Sequence, residues 1–281
     1  MADISVENLI PEMEAYKLYL SSQEHGKNAR ALSNVKEDYK RGIAERAAQI
    51  LNAEDWTSNE IGTGIIGERV FKAVDRNFNL VGRFQVRLFS SKIKEKNEAA
   101  EKVLFDLYHD HKEQECFEQI CKLFGRKYDL VSDLYFILDS GRYLPLRSSI
   151  FDGVFTKIGI NLQTAGMCSW QNYQKYLSTV AEVRDAMKDY YHQEEVDLLD
   201  AHSFLWTIAL DVLDQYKKEK VPVKMPVKEM PVVEGAIVLH KEYGEGVIEK
   251  LTDEKAYVTF SGKHRIFLYP EAFEKEYLKL R

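Results

Sequence analysis

The sequence predicts an α+β protein with two domains, a mostly α-helical domain over residues 1–220 and a small β-barrel over residues 234–281. Three observations lead to this prediction. Apolar residues recur at helical spacing through most of the first domain, whereas they alternate with polar residues at a period of two after residue 234. Between the two patterns, residues 221–233 contain three prolines, which favour a stiff polyproline II linker.

Composition limits the classes of function. The 281 residues are 45% hydrophobic and carry a formal net charge of −6, so the chain can bury a core and is not a globally basic nucleic-acid binder. Its three cysteines lack the paired spacing of disulfide frameworks, which favours reduced thiols and a cytoplasmic protein. No apolar run approaches the ~20 residues of a membrane span, and the N-terminus lacks a signal-peptide pattern, so we expect no membrane association.

Helical spacing and capping signals predict the elements of the first domain. Thr57 and Glu60 fit a capping box, and Ser169 is an N-cap candidate. The apolar segment Tyr128–Leu138 fits either a helix or a strand. The expected helices cover Ile4–Leu20, Val35–Leu51, Glu98–Tyr108, Gln114–Phe124, Ser148–Ile158 and Asp197–Lys217, with one more after Ser169.

The stretch Asn79–Lys96 is both basic and aromatic, and within it we expect a short strand or extended arm over residues 80–90. Basic side chains neutralise phosphates, and aromatic rings stack on exposed bases. An ordinary solvated charged face is the alternative interpretation. The candidate nucleic-acid-binding residues are Arg83, Phe84, Arg87, Lys92, Lys94 and Lys96.

Residues Gly62–Gly67 match the G-x-G-x-x-G pattern of dinucleotide-binding loops. In such sites the motif directly follows a strand, so that the pyrophosphate meets the N-terminus of the next helix. A capped helical turn precedes the motif in this sequence. We therefore interpret the glycine stretch as a flexible joint between helices.

The sequence predicts no catalytic residue, no metal ligands and no cofactor. His109 and His111 are two residues apart and Cys116 and Cys121 five apart, so neither pair shares a helix face as zinc ligands would. The nearest match to a nuclease D-x-K motif, Asp38–Lys40, lies within an expected helix rather than on a strand. A lone His202 on the apolar side of its helix favours a buried, hydrogen-bonded structural role over catalysis.

Four or five short strands are expected between residues 234 and 281. Their breaks carry turn chemistry at Tyr243–Gly246, Thr252–Glu254 and Ser261–Lys263, where glycine and aspartate permit tight hairpins. Pro270 should begin a one-turn helix before a final strand around Leu278. So many strands in so short a span would close into a small barrel.

The run from His240 to Val247, H-K-E-Y-G-E-G-V, fits the pattern H-x-x-F-G-x-G, and the later runs F-S-G-K and L-K-L fit with it. This region resembles the Tudor-like (SH3-like barrel) domain at the C-terminus of UvrD/PcrA-type DNA helicases, and more broadly the RNA-polymerase-binding barrel of CarD-type regulators. The helicase motor that normally precedes that barrel does not occur in this sequence, so the barrel's partner stays open. The resemblance implies docking to RNA polymerase, a nucleoprotein assembly or nucleic acid, and it implies no catalysis.

The first domain has a weaker resemblance. The strings I-G-T-G, Y-L-P-L, C-S-W-Q-N-Y and L-D-A-H-S-F-L-W are similar to a module found ahead of HNH nuclease domains in bacterial restriction- and defence-type proteins. The HNH histidines and cysteines themselves are lacking. This resemblance implies a setting in bacterial or phage defence or counter-defence, and no chemistry.

Together these patterns predict a non-catalytic binding or adaptor protein that acts on a nucleoprotein complex, with RNA polymerase or a DNA-processing machine as partner. Direct contact with DNA and the oligomeric state are left open. The alternative is a divergent metal-dependent nuclease, or nuclease subunit, of a restriction or anti-phage system.

Within the barrel, basic and acidic residues nearly balance, which argues for a protein partner over phosphate binding. We expect the partner-binding residues at the hairpin tip, with Tyr243 as an exposed aromatic anchor beside Lys241 and Glu245. The alternative is that Tyr243 plugs the open end of the barrel.

Overall fold

A computed structural model of the protein describes residues 6–23, 32–77, 79–95, 97–217, 234–252, 255–269, 271–274 and 277–280. The chain divides into two compact units, Met1–Glu219 and Lys220–Arg281. The proline-rich linker expected at residues 221–233 and the candidate residue Lys96 lie outside the described residues.

The described part of the first unit is built from α-helices, which confirms a mostly helical domain. Three short 3-10 helices, Ala53–Asp55, Ser58–Glu60 and Val212–Gln215, lie in the connections. The α-helices are α1 (Val6–Ser21), α2 (Tyr39–Leu51), α3 (Ile65–Val74), α4 (Arg83–Glu95), α5 (Asn97–Tyr108), α6 (Glu113–Phe124), α7 (Tyr128–Leu138), α8 (Ser148–Lys157), α9 (Trp170–Tyr191) and α10 (Leu198–Ala209).

Capping side chains fix where several of these helices begin. Ser169 Oγ accepts a backbone N–H from the first turn of α9 at 3.3 Å, which confirms the predicted N-cap. Asp197 and Asp200 form a reciprocal capping box at the start of α10. The helix expected to run on to residue 217 is interrupted at Asp211, which adopts a left-handed conformation with φ of 54°.

Aromatic rings from α6, α7 and α9 meet at the centre of the helical unit. Phe117, Tyr135 and Tyr173, one from each helix, have ring centroids between 5.6 and 6.0 Å apart. The buried hydroxyls of Tyr173 and Tyr176 donate to the backbone carbonyls of residues 144 and 145, at 2.8 and 3.0 Å. These bonds hold the loop before α8 against α9, because an unpaired hydroxyl in a core costs about 1–3 kcal/mol.

The strand or arm expected over residues 80–90 is wrong, since this stretch forms most of α4. Val86, Phe89 and Ile93 are buried and follow the i, i+3, i+7 spacing of one helix face. Phe89 packs edge-on against Phe124 of α6, with ring centroids 4.8 Å apart. A short apolar run does not by itself distinguish the 3.6-residue period of a helix from the two-residue period of a strand. The buried stripe along one face identifies this stretch as a helix.

The second unit contains a five-stranded antiparallel sheet in the order β4-β3-β2-β1-β5. A one-turn helix, α11 (Glu271–Glu274), separates the last two strands, as the sequence predicts. Ser261 and Gly262 have φ of 48° and 80°, the pair of positive values that a two-residue hairpin of type I′ requires. The strands are β1 (Ile237–His240), β2 (Gly244–Leu251), β3 (Lys255–Phe260), β4 (Lys263–Leu268) and β5 (Lys279–Leu280).

The predicted closed barrel is not confirmed, because β4 and β5 are both edge strands and the sheet is open. One face carries a small buried core that includes Val238, Ile248 and Val258. The opposite face leaves Ile237 and Val247, which pair across β1 and β2, each more than two-fifths exposed.

No helix among the described residues is long and apolar enough to cross a membrane.

Candidate functional site

The turn between β1 and β2 is organised by His240. Its Nδ1 accepts the backbone N–H of Glu242 at 3.1 Å and lies 3.3 Å from that of Tyr243, so the imidazole closes the turn. Gly244 has φ of 73°, where a side chain would be strained. A Cβ on Gly246 would lie 2.5 Å from the ring of Phe260, so only glycine fits there. The histidine and the two glycines of the H-x-x-Y-G-x-G run therefore each have a structural reason, because they shape the hairpin.

Tyr243 lies in a sandwich at this turn. Its ring stacks on His240 with centroids 4.3 Å apart and an interplanar angle of 13°. The guanidinium carbon of Arg265 lies 4.0 Å from the centroid of the same ring, a cation–π contact. Phe260 packs nearby at 5.7 Å between centroids. Tyr243, expected as an exposed anchor, is half-buried in the structure and packs against the core of this unit.

A groove opens beside the sandwich, and we refer to it as the aromatic groove. Tyr277 is 56% exposed at its wall, and Lys241 and Lys279 flank it. Of the three residues predicted to bind a partner, Lys241 and Tyr243 line this groove, whereas Glu245 does not and lies on β2 opposite Leu239. The lining residues are Leu239, His240, Lys241, Glu242, Tyr243, Phe267, Tyr277 and Lys279.

The aromatic groove combines tyrosine rings with a basic rim. Tyrosine rings give a large contact area at small entropic cost and often serve as binding anchors. The two lysines outnumber the one acidic lining residue, Glu242, so the rim favours negative charge on a partner.

Four of the six predicted nucleic-acid residues lie on the solvent side of α4, and Lys96 lies outside the described residues. At 3.6 residues per turn, Arg83, Phe84, Arg87 and Lys94 fall within roughly 100° of the helix circumference. We refer to these four residues as the α4 basic face. Lys92 lies on the flank of the helix and pairs with Glu95 at 2.8 Å.

Two properties of the α4 basic face separate it from an ordinary solvated surface. Phe84 is 73% exposed, a large apolar ring without cover. Arg87 and Lys94 form no ion pair with any described residue, and the first turn of α4 holds no acidic side chain. The positive end of the helix dipole lies at this first turn, next to Arg83.

The glycine motif at Gly62–Gly67 holds an anion that the chain supplies itself. Glu101 of α5 is fully buried, and its Oε2 accepts the backbone N–H groups of Gly62 at 2.7 Å and Gly64 at 3.0 Å. Its Oε1 accepts the N–H of Gly67 at 2.8 Å, in the first turn of α3. The expected flexible joint is thus an ordered loop, and the carboxylate occupies the position where a phosphate-binding loop would hold its ligand.

Backbone conformation requires two of these three glycines, and close packing requires the third. Gly62 and Gly64 have φ of 87° and 91°, values that side chains rarely adopt. A Cβ on Gly67 would lie 2.4 Å from Cγ2 of Ile93, so α3 and α4 approach each other only because this residue is glycine.

Sequence reasoning missed a buried ionisable cluster around Lys40. Lys40 Nζ lies 2.6 Å from Glu37 Oε2 and 3.0 Å from His202 Nδ1, although only 1% of the lysine is exposed. Burial lowers the pKa of Lys40, and Glu37 opposes that shift. Burial, and then the charge of Lys40, lowers the pKa of His202 well below its usual range.

A neutral His202 fits its two contacts. Nδ1 accepts from Lys40, and Nε2–H donates to the backbone carbonyl of Pro145 at 2.9 Å. The predicted buried, hydrogen-bonded histidine is confirmed. The cavity beside Lys40 leaves space for about one water molecule. A lysine with a lowered pKa is a candidate nucleophile, but no substrate reaches it in this conformation.

Among the described residues, no three His, Cys, Asp or Glu side chains are grouped as metal ligands would be. His109 instead stacks on Phe105 at 4.4 Å between ring centroids and contacts Asp110 at 2.8 Å. Comparison of the chain with family models, with curated proteins and with solved structures finds no match.

Proposed function

We propose that the protein is a non-catalytic adaptor, whose C-terminal unit binds a protein partner and whose helical unit contacts nucleic acid in the same nucleoprotein complex. In this proposal the C-terminal unit is a Tudor-like (SH3-like) barrel, and the partner is RNA polymerase or a DNA-processing machine of a bacterium or phage.

Strand order supports the barrel. The order β4-β3-β2-β1-β5, with a one-turn helix between β4 and β5, is that of an SH3-like barrel. The register between β2 and β3 shifts between Ile248 and Lys250. Such a bulge bends a strand and lets it serve both halves of a small barrel.

The aromatic groove carries the protein-binding half of the proposal. Its wall leaves Tyr277 56% exposed next to the rigid His240–Tyr243–Arg265 sandwich. A rigid aromatic surface with a basic rim is the usual composition of a binding hot spot. The sandwich positions the groove, and Tyr277 and Lys241 supply contacts that are not needed for folding.

Binding of the full chain to purified bacterial core RNA polymerase, measured by biolayer interferometry, tests this half. Tyr277→Ala and Lys241→Glu should each weaken binding by about tenfold. Leu268→Ala is the matched control, because Leu268 is 58% exposed on β4 and does not line the groove. Equal affinity of the groove variants and the wild type would overturn the groove as the binding site. Failure of the wild-type chain to bind would overturn RNA polymerase as the partner.

The α4 basic face carries the nucleic-acid half, because Phe84, Arg87 and Lys94 share one exposed surface and neither cation forms an ion pair with a described residue. Fluorescence anisotropy with labelled single-stranded and duplex DNA tests it across a salt series. Arg87→Glu with Lys94→Glu should weaken binding and reduce the salt slope by about two. Phe84→Ala should weaken single-strand binding selectively, since stacking needs an unpaired base.

The control for this series reverses the same amount of charge elsewhere. Lys122 on α6 and Lys175 on α9 are both exposed, and changing both to Glu leaves α4 intact. If that control weakens binding as much as the α4 pair, net charge rather than the α4 basic face accounts for the affinity. No measurable binding by the wild-type chain would remove the nucleic-acid half of the proposal.

A further inference from the structure

Two of the three cysteines lie side by side although they are far apart in the sequence. Cys121 belongs to α6, and Cys168 immediately precedes the N-cap of α9. Their Sγ atoms are 3.8 Å apart, and both thiols are free. Cys121 is 2% and Cys168 8% exposed, so only a small molecule reaches the pair. The third cysteine, Cys116, is also buried and has no sulfur neighbour among the described residues.

The surroundings distinguish the two thiols chemically. A hydrogen bond from Cys168 lowers the pKa of Cys121, and the positive charge of Arg126 acts in the same direction. The pKa of Cys168 is raised by the same hydrogen bond and by burial. Arg126 is held in place by its bond to the carbonyl of Cys168 at 3.1 Å and by Glu118 at 2.6 Å. Cys121 therefore forms a thiolate more readily than Cys168 does, which makes Cys121 the attacking sulfur of the pair.

Cys116 serves as the internal comparison. Burial, and then the charge of nearby Asp106, raises its pKa to about 12. A thiol that stays protonated and has no partner is inert toward oxidants.

We propose that Cys121 and Cys168 form a thiol modification site that a hydroperoxide converts reversibly into an intramolecular disulfide. Cys121 thiolate attacks the hydroperoxide and the O–O bond breaks, which gives Cys121 sulfenic acid and an alkoxide, or hydroxide from hydrogen peroxide. This leaving group takes up the proton that the Cys121 thiol released on ionisation and departs as an alcohol or water. Cys168 sulfur then attacks the sulfenic sulfur, the S–O bond breaks, and water leaves with the proton of Cys168. The two thiols lose two electrons to the hydroperoxide, and any dithiol reductant reverses the change.

The geometry requires only a small movement. The sulfurs have to approach from 3.8 Å to the ~2 Å of a disulfide. Cys168 lies in the loop before α9, where side-chain rotation brings its sulfur toward Cys121. The bond would tie α6 to the start of α9, so the modification stabilises the helical unit rather than disrupting it.

Oxidation of the folded full chain with hydrogen peroxide, followed by non-reducing peptide mass spectrometry, tests the proposal. When the oxidised wild type is then unfolded in urea without reductant, Cys116 should be the only one of its three thiols that reacts with maleimide. The Cys121–Cys168 cross-linked peptide should appear and disappear with dithiothreitol. The melting temperature of the helical unit should rise by roughly 5–10 °C on oxidation. Met167, which is 58% exposed, gains an oxygen in the same treatment and is separated from the disulfide by mass.

Two variants complete the test. Cys116→Ala should keep the cross-link and the melting-temperature rise, and Cys168→Ser should abolish both and leave Cys121 as a sulfenic acid that dimedone traps. Three outcomes would overturn the proposal: three reactive thiols in the oxidised wild type, a cross-link to Cys116, or a cross-link that forms only in urea-unfolded protein.

Discussion

Asp133 of α7 offers the most quantitative test of the structure. It is fully buried, its Oδ2 accepts from Asn77 Nδ2 at 3.1 Å, and its Oδ1 has no hydrogen-bond partner among the described residues. Arg46 reaches it only indirectly, through a bond of 2.7 Å to Asn77 Oδ1. Burial raises the pKa of Asp133 from 3.8 to about 7, and the bond from Asn77 and the charge of Arg46 only partly offset this.

The sign of the pH effect follows from proton binding. Because the folded pKa is raised, the folded state keeps a proton that the unfolded state releases above pH ~4. The stability contribution of Asp133 is therefore fully present below pH ~4 and is lost as pH rises to about 7. At 1.36 kcal/mol per pKa unit, a shift of about three units corresponds to about 4 kcal/mol. Between pH 5 and pH 8 the protein loses about 3 kcal/mol of this stability, because only the interval from pH 5 up to the folded pKa of about 7 contributes.

Asp133→Asn keeps the shape of the side chain and removes its titration. Urea unfolding of wild type and variant at pH 5 and pH 8 isolates Asp133, because all other titrating groups are shared and cancel in the difference. We expect the wild type to lose about 3 kcal/mol relative to the variant between these pH values. Parallel stability curves for the two proteins would refute a raised pKa at Asp133 and the dry environment that causes it.

Three further predictions concern the sites described above. Glu101→Ala should destabilise the helical unit by about 3 kcal/mol or more, measured by urea unfolding, because it leaves three backbone N–H groups without their acceptor. Tyr243→Ala should clearly lower the melting temperature of the C-terminal unit, whereas Tyr243→Phe should keep both the sandwich and the melting temperature. Arg265→Ala should reduce the stability of this unit by only about 0.5–1 kcal/mol. Lys40→Met should destabilise the helical unit by about 3 kcal/mol in chemical unfolding, because it leaves the nearly buried carboxylate of Glu37 without its partner. Adding Glu37→Gln to this variant should recover most of the lost stability. Unchanged stability of Glu101→Ala would contradict the contacts described for Glu101. In the same way, an unchanged melting temperature of Tyr243→Ala, or no recovery of stability in the Lys40→Met, Glu37→Gln double variant, would contradict the contacts of Tyr243 or Lys40.

Local patterns in the sequence predicted local structure well. Helical spacing located most helices of the first unit, and the Thr57–Glu60 capping box and the Ser169 N-cap both form. Turn chemistry placed the β3–β4 hairpin at Ser261 and Gly262. These features depend on neighbours within a few residues, which is the range over which propensity and capping act.

The site contacts could not be predicted because they join distant parts of the chain. Glu101 meets a loop that lies 34–39 residues away, Cys121 and Cys168 are 47 residues apart, and Lys40 and His202 are 162 apart. The strand expected at residues 80–90 failed for the same reason. Packing of Phe89 on Phe124 selects the helix, and no residue within α4 signals that contact.

The carboxylate of Glu101 also sets how strongly the glycine loop resists outside ligands. A side chain fixed by the fold next to three N–H donors has an effective concentration far above the millimolar values of flexible tethers. Free phosphate or nucleotide at cellular concentrations therefore does not compete for the loop. Removing the Glu101 carboxylate opens the loop to outside anions. With Glu101→Gly, formate or acetate can enter the loop and bind the same N–H groups. Stability of that variant should then rise with the concentration of added carboxylate, as ligand linkage requires.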